Sequence, residues 1–207
     1  VQGPEATHEL AKVVELPLMD AAEVDLAGSK VACLRTNRSG FGGWTLVVTP
    51  KDGAAGDILR RSFSEVDPEA YRIACLEAGT PRFGVDTNSR TLPPELGQAF
   101  ESSHISYKKG CYLGQEILMR MHSRGHANRS WMGLLLEAPV KEGDAIRHRD
   151  REDAGVVTTA VESPEFGPIA GAYLRREACY SGEIVHVLTS EGPVEAEVQE
   201  MPLLRLG

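Results

Sequence analysis

The sequence predicts an α+β fold, in which a mixed region of helices and strands precedes a small antiparallel β-barrel. The first half of the 207 residues mixes helical and strand-like patterns. From about Ser130, short β-rich runs follow one another, separated by turn signals such as Ser163-Pro164 and Ser181-Gly182. We therefore predict an α+β domain over residues 1–128 and a barrel domain over residues 129–207.

Helix signals and β-rich runs define the elements of the first domain. Asp67-Pro68 is an N-cap and first-turn pair that begins a helix, and Gly79 offers the stop signal at the end of that helix. The polar stretch from Gln98 to Lys108 predicts a mobile approach to the next segment. The predicted helices cover residues 5–14, 56–63 and 68–78, and the predicted strands cover residues 30–36 and 44–48.

Five short runs rich in β-forming residues predict the barrel. Their regular spacing, with a turn signal between neighbours, is typical of small antiparallel barrels. The runs cover residues 131–136, 155–161, 169–174, 184–188 and 194–198.

Composition and charge restrict the class of function. The content of 42% hydrophobic and 25% charged residues is that of a globular protein. The net charge of −8 argues against direct nucleic-acid binding, which depends on basic residues. No apolar run approaches the roughly 20 residues that cross a bilayer. Because the first ten residues also lack the features of a signal peptide, we expect a cytoplasmic protein without a membrane segment.

The segment from Lys108 to Glu116 carries the strongest signal for a functional site. It places Cys111 beside two lysines, and neighbouring positive charge favours the nucleophilic thiolate form of a cysteine. Gly110 and Gly114 bracket the thiol, which predicts close approach of the backbone to a ligand or another strand. The alternative is a small buried cysteine in a loop that the lysines keep in water.

A helix is predicted directly after this segment. Leu113, Ile117 and Met121, with Leu118 beside them, recur at helical spacing, which predicts a buried stripe with charge on another face. Glu116 precedes Arg120 by four residues, the favourable order for an intrahelical ion pair. Gly125 offers the stop signal.

The spacing of cysteines and histidines predicts no metal site. A cluster bound through Cys111 would need ligands from outside the chain, since no Cys-x-x-Cys pair occurs. His122 and His126 are four residues apart, but Gly125 interrupts the helix and no carboxylate completes a ligand set. The four cysteines are Cys33, Cys75, Cys111 and Cys179.

Residues 108–116, with the arginines that follow them, resemble the signature of the YgfZ-type folate-binding proteins, which are relatives of the glycine cleavage T-protein, an aminomethyltransferase. The resemblance extends to the Arg35-Thr36 strand with its glycine-rich turn, to residues 77–86 and to residues 154–164. T-proteins proper carry a Phe-Ile-Gly-type sequence where residues 111–114 stand here, which favours the YgfZ branch.

The resemblance implies binding of a reduced folate, tetrahydrofolate, without glycine cleavage. It also implies support of iron–sulfur proteins or their assembly machinery, including radical enzymes that modify tRNA. Cys111 would be the functional thiol, with Lys109 and Arg120 as its electrostatic neighbours. Tyr112 would be a packing or gating ring, and Gln115 with Glu116 would orient the turn through hydrogen bonds.

Two further parts of a folate site are implied. Glu77 matches the acidic residue that meets the pterin ring in folate-binding relatives, and a carboxylate can accept two parallel hydrogen bonds from such an edge. Arg124 belongs to a basic cluster around the motif that would suit the glutamate tail of a folate. The alternatives are an ordinary helix-end carboxylate and a solvated helix face.

Family members have a further segment before the position that matches Val1, and that segment supplies part of the folate pocket. In the T-protein it also carries the catalytic aspartate. We therefore expect the first domain to be incomplete at its N-terminus. Two other functions stay open: a folate-dependent aminomethyltransferase, and a non-catalytic fragment that binds a partner through the charged surface around Arg124.

Overall fold

The computed structural model describes residues 1–124 and 127–204, with the side chain of Arg124 outside the described part. The chain divides into two compact units, the first over Val1–Ala78 and the second from Gly79 onward. Each unit has its own hydrophobic core. No helix of the described residues is long and apolar enough to cross a membrane.

A three-stranded antiparallel sheet with three helices forms the first unit. The strands β1 and β2 are joined by Ala27-Gly28, both at positive φ, as a two-residue hairpin requires. Along β1 and β2, buried residues alternate with less buried ones, which points one face of the sheet to the core. The elements are α1 (Ala6–Ala11), β1 (Ala21–Leu26), β2 (Ser29–Arg35), β3 (Trp44–Val47), α2 (Gly53–Ser62) and α3 (Pro68–Glu77).

The cap predicted for α3 is confirmed. The Asp67 carboxylate accepts a hydrogen bond from Glu69 N at 2.7 Å, Pro68 occupies the first turn, and the positive φ of Gly79 follows the helix. This helix carries Cys75, Leu76 and Glu77 as buried residues at its C-terminal end.

The second unit begins with two helices, α4 (Gln98–His104) and α5 (Gln115–Arg124). Residues 98–104 of the polar stretch expected to be mobile form the helix α4, and the mobility of the stretch stays a prediction. Ser102 and Ser103 donate to carbonyl groups of the preceding turn, and the rings of Phe100 and His104 stack with centroids 3.9 Å apart.

A closed six-stranded antiparallel barrel completes the second unit, as the sequence predicted. The strands lie in the order β4-β7-β6-β5-β8-β9, and pairing of β4 with β9 closes the barrel. The core is almost entirely aliphatic, with residues such as Leu134, Ile146 and Val187 fully buried. The strands are β4 (Arg129–Leu136), β5 (Ala145–His148), β6 (Arg151–Ser163), β7 (Gly167–Arg175), β8 (Ile184–Thr189) and β9 (Gly192–Gln199).

The two units do not divide at the predicted domain boundary. Residues 79–124 and 127–128 fold with the barrel rather than with the first sheet, since Asp86 accepts a hydrogen bond from Thr158 and Glu95 pairs with Arg129. The predicted domains, residues 1–128 and 129–207, divide the chain at another point than these compact units do. That assignment stays a prediction.

Candidate functional site: an exposed thiol between two helices

Cys111 lies in the loop of residues 105–114 that connects α4 to α5, named here the Cys111 loop. Its side chain is exposed, whereas Cys33 and Cys75 are buried and Cys179 is half-buried. Within the described part of the chain, no hydrogen bond, ion pair or ring contact involves the Cys111 side chain. A thiol in this position is accessible to a ligand, an oxidant or a partner.

The two glycines of the loop lie in open space in the structure. Gly114 has a φ of +86°, a backbone conformation that side-chain-bearing residues rarely adopt, and α5 begins at the next residue. No described atom lies within 4 Å of the place where a Cβ would stand at Gly110 or Gly114. No described strand approaches either glycine, and backbone conformation explains Gly114, while close approach to a ligand stays a prediction.

Tyr112 packs against Lys109 within the Cys111 loop. The Lys109 ammonium lies 4.9 Å from the centre of the Tyr112 ring, a cation–π distance. The Tyr112 hydroxyl is buried and has no hydrogen-bond partner among the described residues. Lys109 thus packs on the tyrosine, while its predicted electrostatic action on Cys111 stays a prediction.

The ion pair predicted within α5 is confirmed. Arg120 donates to the Glu116 carboxylate at 3.0 Å, on an exposed face of the helix. The Glu116 carboxylate points to Arg120, and its predicted role in orienting the turn stays a prediction. A backbone hydrogen bond closes the turn, with Gln115 N donating to the Tyr112 carbonyl at 3.2 Å.

The apolar stripe predicted for α5 is buried only in part, since Leu118 is buried and Met121 is half-buried. Leu113 is fully exposed and Ile117 is 54% exposed. The helix therefore packs through the face that carries Leu118 and Met121. The stop signal at Gly125 lies outside the described residues.

A cluster that the sequence did not reveal fixes the first arm of the loop. The Tyr107 hydroxyl donates to Glu101 Oε1 at 2.5 Å, and His122 Nδ1 lies 3.2 Å from the same oxygen. The rings of Tyr107 and His122 stack with centroids 4.1 Å apart. Burial, helped by the hydrogen bond to Glu101, raises the pKa of Tyr107 to about 12.

A cavity of about 1080 Å³ lies beside this cluster, within the second unit. Its wall includes Glu101, Tyr107 and His122 from the cluster, and Cys179 and Tyr180 from the segment after β7. Burial raises the pKa of the Cys179 thiol, so this cysteine is a poorer nucleophile than an exposed one.

Asp86 is the buried polar centre of the second unit. Its Oδ1 accepts from Thr158 Oγ1 at 2.7 Å and from Thr159 Oγ1 at 2.6 Å, while its Oδ2 accepts from Arg82 N at 2.9 Å. Trp131 Nε1 extends the network by donating to Thr158 Oγ1 at 3.1 Å. Two of the segments that carry the family resemblance, residues 77–86 and 154–164, thus meet at one carboxylate.

Arg129 is also held by the fold. Its guanidinium makes two hydrogen bonds to Glu95, at 3.0 and 3.1 Å, and lies over the Tyr173 ring at 4.5 Å. The bonds to Glu95 raise the pKa of Arg129, and burial raises the pKa of Tyr173. This arginine is bound to partners within the barrel unit.

The remaining predicted site residues are less defined. Glu77 is buried at the C-terminal end of α3, in the first unit, whereas the Cys111 loop belongs to the second. Gln115 is half-buried at the start of α5. His126 lies outside the described residues, among which no three His, Cys, Asp or Glu side chains are grouped so as to hold a metal ion. The folate-contacting roles of Glu77, Tyr112, Gln115, Glu116 and Arg124 stay predictions.

Comparison with known proteins relates the chain to the glycine cleavage T-proteins. Residues 129–204 match the glycine cleavage T-protein C-terminal barrel domain. The aminomethyltransferase of Thermosipho melanesiensis is 25% identical over 99% of this chain and 58% of the relative. That of Saccharopolyspora erythraea is 28% identical over 99% of this chain and 59% of the relative. The chain thus spans less than two thirds of the length of these relatives.

A solved structure shares the fold. The glycine cleavage system aminomethyltransferase T from Bartonella henselae superposes with a TM-score of 0.74 at 20% identity, covering 98% of this chain and 58% of that one. Fold and barrel are therefore of the T-protein type.

Proposed function

We propose that this chain is a cytoplasmic, folate-binding accessory protein of the YgfZ type, which supports the assembly or repair of iron–sulfur clusters through the thiol of Cys111. The observation that carries the proposal is the exposure of Cys111 on a loop between two helices, with Lys109 and Tyr112 beside it. The fold leaves this thiol unused while the other three cysteines are at least half-buried. Clients would include iron–sulfur enzymes such as those that modify tRNA.

Folate is the proposed ligand because residues 108–116 resemble a folate-binding family and the curated relatives are named aminomethyltransferases. Glu77 would accept hydrogen bonds from the aminopyrimidinone edge of the pterin ring. Isothermal titration calorimetry of the chain with tetrahydrofolate tests whether it binds folate. Glu77→Gln should weaken binding about tenfold, because a charge-assisted hydrogen bond is lost.

Glu69→Gln is the matched control for that titration. Glu69 lies in the first turn of the same helix, is half-exposed and pairs with Arg72 at 3.5 Å, so its substitution should leave folate binding unchanged. Equal affinities of the Glu77→Gln and Glu69→Gln variants for tetrahydrofolate would show that Glu77 does not belong to the folate site.

The thiol is tested by the activity of a [4Fe–4S] enzyme in cells that lack the native protein. Cys111→Ala should fail to restore that activity, whereas Cys179→Ala should restore it, because burial raises the pKa of Cys179 and makes it a poor nucleophile. Restoration by Cys111→Ala would contradict a thiol-dependent role.

A folate-dependent aminomethyltransferase is the second candidate, and the names of the curated relatives favour it. In that case Cys111 is incidental. The purified chain would then form methylenetetrahydrofolate from labelled glycine when mixed with the other glycine cleavage components, and Cys111→Ala would retain the rate. A chain that neither binds tetrahydrofolate nor transfers the one-carbon unit would instead be a partner-binding fragment.

A further inference from the structure

One carboxylate oxygen connects three elements around the Cys111 loop. Glu101 belongs to α4, Tyr107 to the loop and His122 to α5, and Glu101 Oε1 is the common hydrogen-bond acceptor. Because an ionised carboxylate only accepts, both the Tyr107 hydroxyl and His122 Nδ1 donate to it. The stacked rings of Tyr107 and His122, with planes 26° apart, add a second contact between the loop and α5.

The exposed tip of the loop, residues 108–111, lies between Tyr107 and Tyr112. Tyr107 is fixed before the tip, and Tyr112 packs beneath Lys109 after it. Between them, Lys108, Gly110 and Cys111 are exposed, and the Ser106 hydroxyl accepts a hydrogen bond from Lys109 N at 3.2 Å. The position of the thiol is therefore set by the two tyrosines rather than by contacts of its own.

We propose that Glu101, Tyr107 and His122 are positioning residues for the Cys111 loop. They hold α4 and α5 together at the base of the loop and so fix where the thiol stands relative to Lys109. The importance of this for function rests on the proposed role of Cys111, whereas the anchoring itself can be measured without it.

Tyr107→Phe tests the anchor, because it removes the hydrogen bond to Glu101 and keeps a ring that can stack on His122. Trypsin cleaves after lysine, and cleavage at Lys108 or Lys109 requires the loop to open. Loss of a hydrogen bond to a charged group should increase opening, and hence cleavage at these two sites, about tenfold. Cleavage is followed by mass spectrometry, and backbone hydrogen exchange over residues 106–114 should accelerate in parallel.

Tyr180→Phe is the matched control, since Tyr180 lines the same cavity and is 58% exposed. Its cleavage and exchange rates should equal those of the native chain. Unchanged exchange in β4 and β7 shows that the barrel of each variant is folded. Equal cleavage rates for Tyr107→Phe and Tyr180→Phe would overturn the proposal.

Variants of the acceptor separate anchoring from simple loss of packing. Glu101→Gln keeps an oxygen that can accept a hydrogen bond from Tyr107, so it should retain most of the native protection against trypsin. Glu101→Ala should lose that protection. In the Glu101→Ala background, Tyr107→Phe should add no further opening, because the bond is already absent. Additive effects of the two substitutions would show that the hydrogen bond is not the anchor.

Alkylation of Cys111 by iodoacetamide connects the anchor to the thiol. The rate should change several-fold in Tyr107→Phe and stay native in Tyr180→Phe, since only the first variant frees the loop. If Cys111→Ala supports iron–sulfur enzymes fully, the proposed function fails while the difference in cleavage still supports the anchor. If the cleavage difference is missing, the anchor fails whatever Cys111 does.

Discussion

Replacing Asp86 should destabilise the second unit more than any other single change to a polar side chain in the described part of that unit. The carboxylate is buried and accepts three short hydrogen bonds, from Thr158, Thr159 and the backbone of Arg82. Each hydrogen bond to a charged group contributes about 1.5–3 kcal/mol, but the contributions do not add, because removal of Asp86 also relieves the cost of burying a charge.

The expected loss for Asp86→Ala follows from what each donor can do afterwards. Thr158 Oγ1 lies 3.1 Å from the Gly171 carbonyl and can donate there instead. Thr159 is buried and loses its acceptor, as does the backbone amide of Arg82. We expect about 3–4 kcal/mol for Asp86→Ala and about 1–2 kcal/mol for Asp86→Asn, which keeps one accepting oxygen.

Urea denaturation followed by tryptophan fluorescence measures this loss. The chain has two tryptophans, of which Trp131 donates to Thr158 within the network, so a Trp44→Phe background reports on the second unit alone. Asp153→Ala is the control, because its carboxylate is 80% exposed and lies 3.4 Å from Arg175. A loss for Asp86→Ala within about 0.5 kcal/mol of this control, at an unchanged m-value, would refute the reasoning.

Three further predictions follow from single features. Gly171→Ala should lower the free energy of unfolding by about 1–3 kcal/mol, because its Cβ would lie 2.8 Å from the Trp131 ring. Gly110→Ala is the control and should be nearly neutral, since open space surrounds Gly110. Equal melting temperatures of the two variants would contradict this. Absorbance titration at 295 nm should show Tyr107 ionising at about pH 12, as the difference between native protein and Tyr107→Phe. The folded pKa lies above the ordinary 10, so the stabilisation is complete below pH 10 and is lost as the pH rises toward 12; a difference centred at pH 10 would contradict this. Labelling with a maleimide should show one fast-reacting thiol, and Cys111→Ala should remove it. The other cysteines react slowly because Cys33 and Cys75 are buried and burial raises the pKa of Cys179. A fast phase that survives in Cys111→Ala would contradict this prediction.

The barrel could be predicted because its signals are local. Each predicted run lies within an observed strand, and the turn signal at Ser163-Pro164 ends β6. The strand β5 (Ala145–His148) escaped prediction because it is short and carries charged side chains. It exists through pairing with β6 and β8, which a local pattern does not contain.

The anchoring cluster escaped prediction for a similar reason. Glu101 and His122 are 21 residues apart and meet only because α4 forms and packs beside α5. The stretch that becomes α4 is polar, and its serines are poor helix formers when no tertiary contact is counted. Side-chain bonds back to the helix backbone and the stacked rings of Phe100 and His104 decide its conformation.

The residues that carry the family resemblance separate into two classes once their contacts are known. Asp86 and Arg129 are held by buried and partly buried hydrogen bonds respectively, so the fold alone accounts for them. Cys111 makes no comparable contact within the described residues, and its exposed thiol contributes nothing visible to stability. Cys111→Ser should therefore leave the urea midpoint unchanged. If the thiol has the proposed role, replacing Cys111 removes function while stability is kept.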